Sequence, residues 1–319
     1  MINSNFTNYL GVRRHRLTFD SGFNGRRTLN WVRGLGAILL LFLAPFAVFA
    51  QDKFFDSNGL QINYTQQGTG EAVVLVHGRG LSLQSWIDCG VMPNLAKDYR
   101  VIALDCRGFG KSGKPHDPKQ YGSEMALDIV RLLDHLGIRK AHIVGYSMGA
   151  NITAQLLVMH PERFLTAILG GAAGRFQWTV QDDQLFEQEA TETEQWGFSP
   201  SLALRLAPPD AKPTEAENKR RSVAALANPN LDRHAIAALI RSFREQVISP
   251  VQVAAVGVPT MGIAGSADPA LESLWELKRL RPEMKLVVID GATHGGARGV
   301  RNRPEFVAAI REFLAAHRP

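Results

Sequence analysis

The sequence predicts an α/β protein with a mainly parallel, doubly wound sheet and helices on both faces. Three observations carry that reading. Short apolar runs rich in β-branched residues, such as Ala72–Val76, recur along the chain, as strands buried on both faces do. Amphipathic helical patterns separate them, the clearest over Ser123–Leu136. The alternation breaks once, between Gly174 and about Val256, and then resumes.

In chain order, Leu60–Gln67 alternates apolar and polar residues as a half-buried strand, turned by Gly68-Thr69-Gly70. Ala72–Val76 is a buried strand, Ser82–Leu95 a helix and Val101–Leu104 the next strand. The helix over Ser123–Leu136 places Met125, Ile129, Leu132, Leu133 and Leu136 on one side and stops at Gly137. A strand around Ile143 and Val144 leads to a helix closed by Pro161, and Ala167–Leu169 is a further strand. The interrupting stretch carries an acidic run, Gln181–Glu194, with six carboxylates and no base, expected as a solvated helical face. A helix over His234–Val247 closes it. Its aromatic residues Phe176, Trp178, Phe186, Trp196 and Phe198 either line a pocket or pack the segment onto the core. Strand Thr260–Ala264, helix Leu271–Leu280, strand Lys285–Ile289 and helix Pro304–His317 complete the pattern. The expected organisation is a leader at 1–50, a core of 51–173 with 257–319, and a helical insertion at 174–256.

The chain has 319 residues and a net charge of +6, which invites a nucleic acid or an anionic membrane as partner. The charge is local, however. Residues 1–50 carry six arginines, no lysine and one acid, leaving +1 for the remainder. The basicity belongs to the leader, and no nucleic-acid partner is expected. An apolar run from Leu35 to Ala50 follows, ending in small residues. It falls short of the roughly 20 residues that span a bilayer and contains Pro45. It therefore reads as an export signal cleaved after Ala50, giving a periplasmic or secreted protein, with a membrane anchor as the alternative. Cys89 and Cys106 either pair or remain thiols; two cysteines make no disulfide framework.

The chemistry is concentrated at Gly145-Tyr146-Ser147-Met148-Gly149, a Gly-x-Ser-x-Gly turn between a strand and a helix. Such a turn holds its serine in a strained conformation, and the flanking glycines let strand and helix approach. Reactive groups in these sheets gather beyond the carboxyl ends of the strands. There stand His77-Gly78-Arg79-Gly80, Asp105 to Ser112, Ser147, Asp268 and His294, in that order. Gly110-Lys111-Ser112 is no phosphate loop, because Asp105 stands where its first glycine belongs. Asp290 rivals Asp268 as the acid, and Asp268 has a helix-capping alternative. His77 is expected to hold its loop by hydrogen bonds. No His/Cys/carboxylate cluster has metal spacing, and no cofactor is expected.

On these motifs, residues from about Leu60 to His317 resemble the α/β-hydrolase superfamily, in its Ser-His-Asp class with an inserted lid. The resemblance implies Ser147 as nucleophile, His294 as general base and Asp268 as the acid that orients it. It also implies an oxyanion hole made by the backbone N–H groups of Arg79 and Met148. The activity it implies is hydrolysis of a small-molecule carboxylic ester through an acyl-enzyme, with an acyl substrate as partner. Relatives of the same fold cleave C–C or amide bonds or carry out perhydrolysis, and a non-catalytic binding protein is the alternative from another class.

Overall fold

The computed structural model describes residues 52–318. Eight strands make one sheet: β1 (Lys53–Ser57), β2 (Leu60–Gln67), β3 (Ala72–Val76), β4 (Arg100–Leu104), β5 (Ala141–Tyr146), β6 (Phe164–Gly170), β7 (Thr260–Gly265) and β8 (Lys285–Ile289). Their spatial order is β1-β2-β4-β3-β5-β6-β7-β8. The pairings of β1 with β2 and of β2 with β4 are antiparallel, and the others are parallel. From β3 the chain leaves to one side to form β4 and to the other to form β5. That reversal opens a crevice at the carboxyl ends of β3 and β5, where ligands bind in open α/β sheets.

The period-2 geometry of the strands explains the two cores. On β3, Val74 and Val76 face one side, where they join Ile129 and Leu132 of α3 (Glu124–His135) and Ile152 and Leu156 of α4 (Met148–Met159). Val73 and Leu75 face the other side. There they meet α1 (Gln84–Asp88), α2 (Val91–Leu95) and, through Phe306 and Ile310, the C-terminal helix over Pro304–Ala315. All five β3 side chains are buried, each contributing roughly 1.5–3 kcal/mol if a valine or leucine.

Between β6 and β7 come α5 (Val180–Trp196), α6 (Pro200–Arg205), α7 (Glu215–Leu226), α8 (Arg233–Arg241) and α9 (Pro250–Ala254). No strand forms there among the described residues, only an isolated bridge between Arg175 and Val247. After β7 follow α10 (Leu271–Leu280), β8 and α11 (Pro304–Ala315). A capping box starts α5: Thr179 accepts from the Asp182 N–H while the Asp182 carboxylate accepts from the Thr179 N–H.

Four local expectations are corrected. The sequence reading has no strand before Leu60, yet β1 pairs with β2 across a tight turn at Asn58-Gly59. The helix expected over Ser82–Leu95 is two short ones, because Gly90 at φ 77° breaks it. The helix expected to reach Val247 ends at Arg241 and gives way to a 3-10 turn at Phe243–Gln246. The acidic run is helical, but it is no uniformly solvated face: Phe186, Glu189, Ala190 and Thr193 are buried. Cys89 and Cys106 are both free thiols. The export segment at 35–50 lies outside the described residues. Among those residues, no helix is long and apolar enough to cross a membrane.

Candidate active site

Ser147 sits at the turn from β5 into α4 with φ 55° and ψ −114°, a conformation that non-glycine residues rarely adopt. The neighbouring glycines are a steric requirement. A Cβ on Gly145 would lie 2.2 Å from the Gly149 carbonyl oxygen, and one on Gly149 would lie 2.1 Å from that of Val76. No side chain fits between strand, elbow and helix. The strain therefore buys one thing: the Ser147 hydroxyl projects from the sheet toward the loops that follow β7 and β8.

Those loops supply the other two groups. The Ser147 hydroxyl reaches His294 Nε2 at 2.9 Å, and His294 Nδ1 lies 2.9 Å from Asp268 Oδ2. With Nδ1–H donating to the carboxylate, Nε2 is the bare nitrogen, able to accept a hydrogen bond from the serine hydroxyl. The Asp268 side chain has no solvent exposure and His294 keeps 10% of its own. Asp268 also accepts from the Ala270 N–H at 2.9 Å, so it stabilises the turn before α10 as well as facing the imidazole. Asp290 does not compete. It is exposed and accepts from Ser266 Oγ at 3.1 Å.

The turn after β3 packs against the elbow. A Cβ on Gly78 would come within 3.3 Å of Ser147 Cβ and of the Tyr146 carbonyl oxygen. The Met148 N–H is the first of that helix and has no acceptor within it. Neither it nor the Arg79 N–H meets a backbone acceptor among the described residues. His77 braces the turn from below. Its Nδ1–H donates to the Gly78 carbonyl at 2.8 Å, and its Nε2 accepts from the Cys106 N–H at 3.0 Å. Burial pushes the His77 pKa down and keeps the ring neutral, as this bonding pattern requires. Burial likewise pushes the Cys106 thiol up, so it is no nucleophile.

Two site residues escape sequence reasoning. Gly171, just past β6, lies flat against the Asp268–His294 pair: a Cβ there would stand 3.1 Å from His294 Cε1 and 3.3 Å from Asp268 Oδ2. The Gly170-Gly171 pair after a strand is the signal that marks it. Tyr146, inside the elbow motif, donates its hydroxyl to the His294 carbonyl and holds that loop. Burial, helped by the Asp268 carboxylate, pushes its phenol up and keeps it a donor. A cleft of about 480 Å³ lined by Asn63, Asp105, Phe109 and Leu231 does not include Ser147 or His294 in its wall. Convergent chemistry, and not the size of a hollow, singles out the site. Among the described residues no three His, Cys, Asp or Glu are grouped to hold a metal ion.

A family model for the alpha/beta hydrolase fold matches residues 71–296. The chain belongs to that family. Among the relatives of this α/β-hydrolase is the 2-hydroxymuconate semialdehyde hydrolase of Pseudomonas sp. (strain CF600), 38% identical over 148 residues, 46% of this chain and 48% of that protein. A 2-hydroxy-6-oxo-6-phenylhexa-2,4-dienoate hydrolase of Comamonas testosteroni is 36% identical over 128 residues, 40% of this chain and 45% of that protein. The chain thus spans about half the length of the curated relatives it matches. Among solved structures, a thermophilic esterase from Thermogutta terrifontis is 25% identical with a TM-score of 0.66, covering 84% of this chain and 100% of that one. A meta-cleavage product hydrolase from Pseudomonas fluorescens is 24% identical with a TM-score of 0.63, covering 83% and 98%, and shares the fold.

Proposed function

We propose that this α/β-hydrolase is a serine hydrolase that cleaves a small-molecule carboxylic ester through an acyl-enzyme, without a cofactor. One observation carries the reading: a strained serine, an imidazole and an enclosed carboxylate stand in a continuous hydrogen-bonded line. In this reading His294 Nε2 takes the Ser147 proton as Oγ attacks the ester carbonyl. The N–H groups of Met148 and Arg79 stabilise the oxyanion, each donor being worth about 3 kcal/mol in the transition state. The intermediate collapses, the C–O bond breaks, and the alcohol leaves with the proton that His294 returns. Water, deprotonated by the same nitrogen, then frees the acid and restores the Ser147 hydroxyl. Residues 174–256 act as a lid over the serine. The leader directs export, which N-terminal sequencing of mature protein beginning at Gln51 would support.

Covalent labelling tests the mechanism. A fluorophosphonate should modify wild-type protein at Ser147 and leave Ser147→Ala untouched; an unmodified wild type would remove the nucleophile. A second reading is favoured by the relatives' names. A semialdehyde or oxo-dienoate has no ester, so its hydrolysis breaks a carbon–carbon bond. Comparing kcat/KM for p-nitrophenyl esters with that for a 2-hydroxy-6-oxo-dienoate separates the two.

A further inference from the structure

The helical segment between β6 and β7 reaches back to the candidate oxyanion turn through a buried carboxylate. Glu189 of α5 is fully enclosed, and its Oε2 accepts from Arg79 Nη2 at 2.7 Å. Its Oε1 accepts from Arg205 Nη2, also at 2.7 Å. Arg79 is the residue whose backbone N–H is the candidate oxyanion donor. Its side chain is only 11% exposed, and Nη1 is buried without a partner, so Glu189 is the anion that holds this guanidinium. The Phe243 ring, 5.7 Å from Arg79 Cζ, adds a weaker cation–π contact.

A buried ion pair is poor evidence for stability, because desolvation of both charges offsets most of their attraction. A carboxylate on α5 has the alternative of facing water, as Asp183 and Glu187 do. What the pair supplies is a fixed position. The turn is braced on its core side by His77 and on its outer side by Glu189. Between those braces lies the peptide whose N–H is the candidate donor to an oxyanion, a charge that develops only on the way to the tetrahedral intermediate.

We propose that Glu189 is a positioning residue: it clamps Arg79 so that the oxyanion hole is complete only while α5 is docked over the turn. The inference rests on the serine-hydrolase reading above. It makes Glu189 act on the transition state and not on the bound substrate.

The test uses the whole protein with Glu189→Gln, Arg79→Met, both together, and Arg205→Met as a control that leaves the Arg79–Glu189 pair in place. Steady-state turnover of a p-nitrophenyl ester, inhibition by a trifluoromethyl ketone, the rate of fluorophosphonate labelling and the Tm are measured on each. Glu189→Gln and Arg79→Met should each lower kcat about ten- to thirtyfold with KM within twofold, since one oriented donor is weakened rather than lost. The double variant should lose no more than either. Affinity for the ketone, whose adduct with Ser147 carries the oxyanion, and the labelling rate should fall in proportion to kcat. Arg205→Met should hold kcat within threefold, whatever its Tm. Should Glu189→Gln fail to fold, Arg79→Met against Arg205→Met carries the same comparison. Unchanged kcat, a rise in KM alone, or an equal kcat loss in Arg205→Met would overturn the inference. Equal labelling of wild type and variants would overturn the inference while leaving the serine reading intact. Absence of labelling in wild type would overturn both.

Discussion

At the scale of single residues, the site is defined by which atom faces which. His294 has one nitrogen on a carboxylate and the other on a hydroxyl, so its tautomer is set before substrate arrives. Groups coupled in this way fail together. Ser147→Ala and His294→Ala should each reduce kcat by roughly three to six orders of magnitude, and the double variant by little more. Asp268→Asn should cost about 10⁴-fold, since an amide favours the wrong tautomer. Asp290→Asn should leave kcat within a few-fold, because that carboxylate bonds Ser266 at the surface. Steady-state kinetics on the four single variants and the double variant check this. A large loss in Asp290→Asn would reassign the acid.

At the scale of elements, α5 shows that an acidic amphipathic helix can have a working inner face. Phe186 is 5% exposed, stacks on Trp178 at 5.2 Å and meets Phe243 edge-on at 5.4 Å. Arg175 lies over both Phe186 and Phe243, with Cζ 4.7 and 4.2 Å from their centroids. Burial and the neighbouring Arg79 and Arg205 charges lower its pKa to about 9, which leaves it cationic at neutral pH. Trp196, in contrast, is 42% exposed. Phe186→Ala should therefore destabilise the protein by about 3–5 kcal/mol. Trp196→Ala should change stability by less than about 1 kcal/mol. Urea unfolding of both variants gives the comparison; equal losses would mean that Trp196 packs as Phe186 does. A change of ester chain-length selectivity in Trp178→Ala, larger than its change in Tm, would support a pocket-lining role for that side chain.

At the scale of the whole molecule, a neutral histidine inside the sheet ties stability to pH. His142 on β5 is fully enclosed; its Nδ1 lies 2.8 Å from Thr166 Oγ1, and its Nε2 is buried without a hydrogen bond. Glu71 is the nearest carboxylate, at 3.9 Å, and His317 and Arg318 add positive charge nearby. Burial, and then those two charges, lower its pKa from 6.5 to about 4. The unfolded chain therefore binds a proton that the folded chain refuses. Stability from this group is present above pH 6.5 and falls as the pH drops toward 4, by about 3 kcal/mol in all. His77, also buried and neutral, acts in the same direction. Urea midpoints measured from pH 7 to pH 4 should decline, and His142→Gln should flatten the decline. An unchanged slope would mean that other groups dominate.

Some of these features follow from the order of residues along the chain, and others only from their arrangement in space. The strand–helix alternation and the elbow around Ser147 were legible because period and turn chemistry are local properties of the chain. The break at Gly90 was local too, but a single glycine in a helical pattern is ambiguous until its φ is known. Asp268 and Asp290 look alike in sequence, each just past a strand. The pairing of Gly265 with Ile289 leaves Asp290 at the sheet edge, while the loop after β7 folds back, with the Asp268 N–H on the Gly265 carbonyl, and carries Asp268 to the imidazole. Glu189 was one of six acids in a run expected to face water. Its partners Arg79 and Arg205 lie 110 and 16 residues away. Only packing brings two guanidiniums to it, and burial of a charge is decided by what surrounds it in space, which no window of sequence contains.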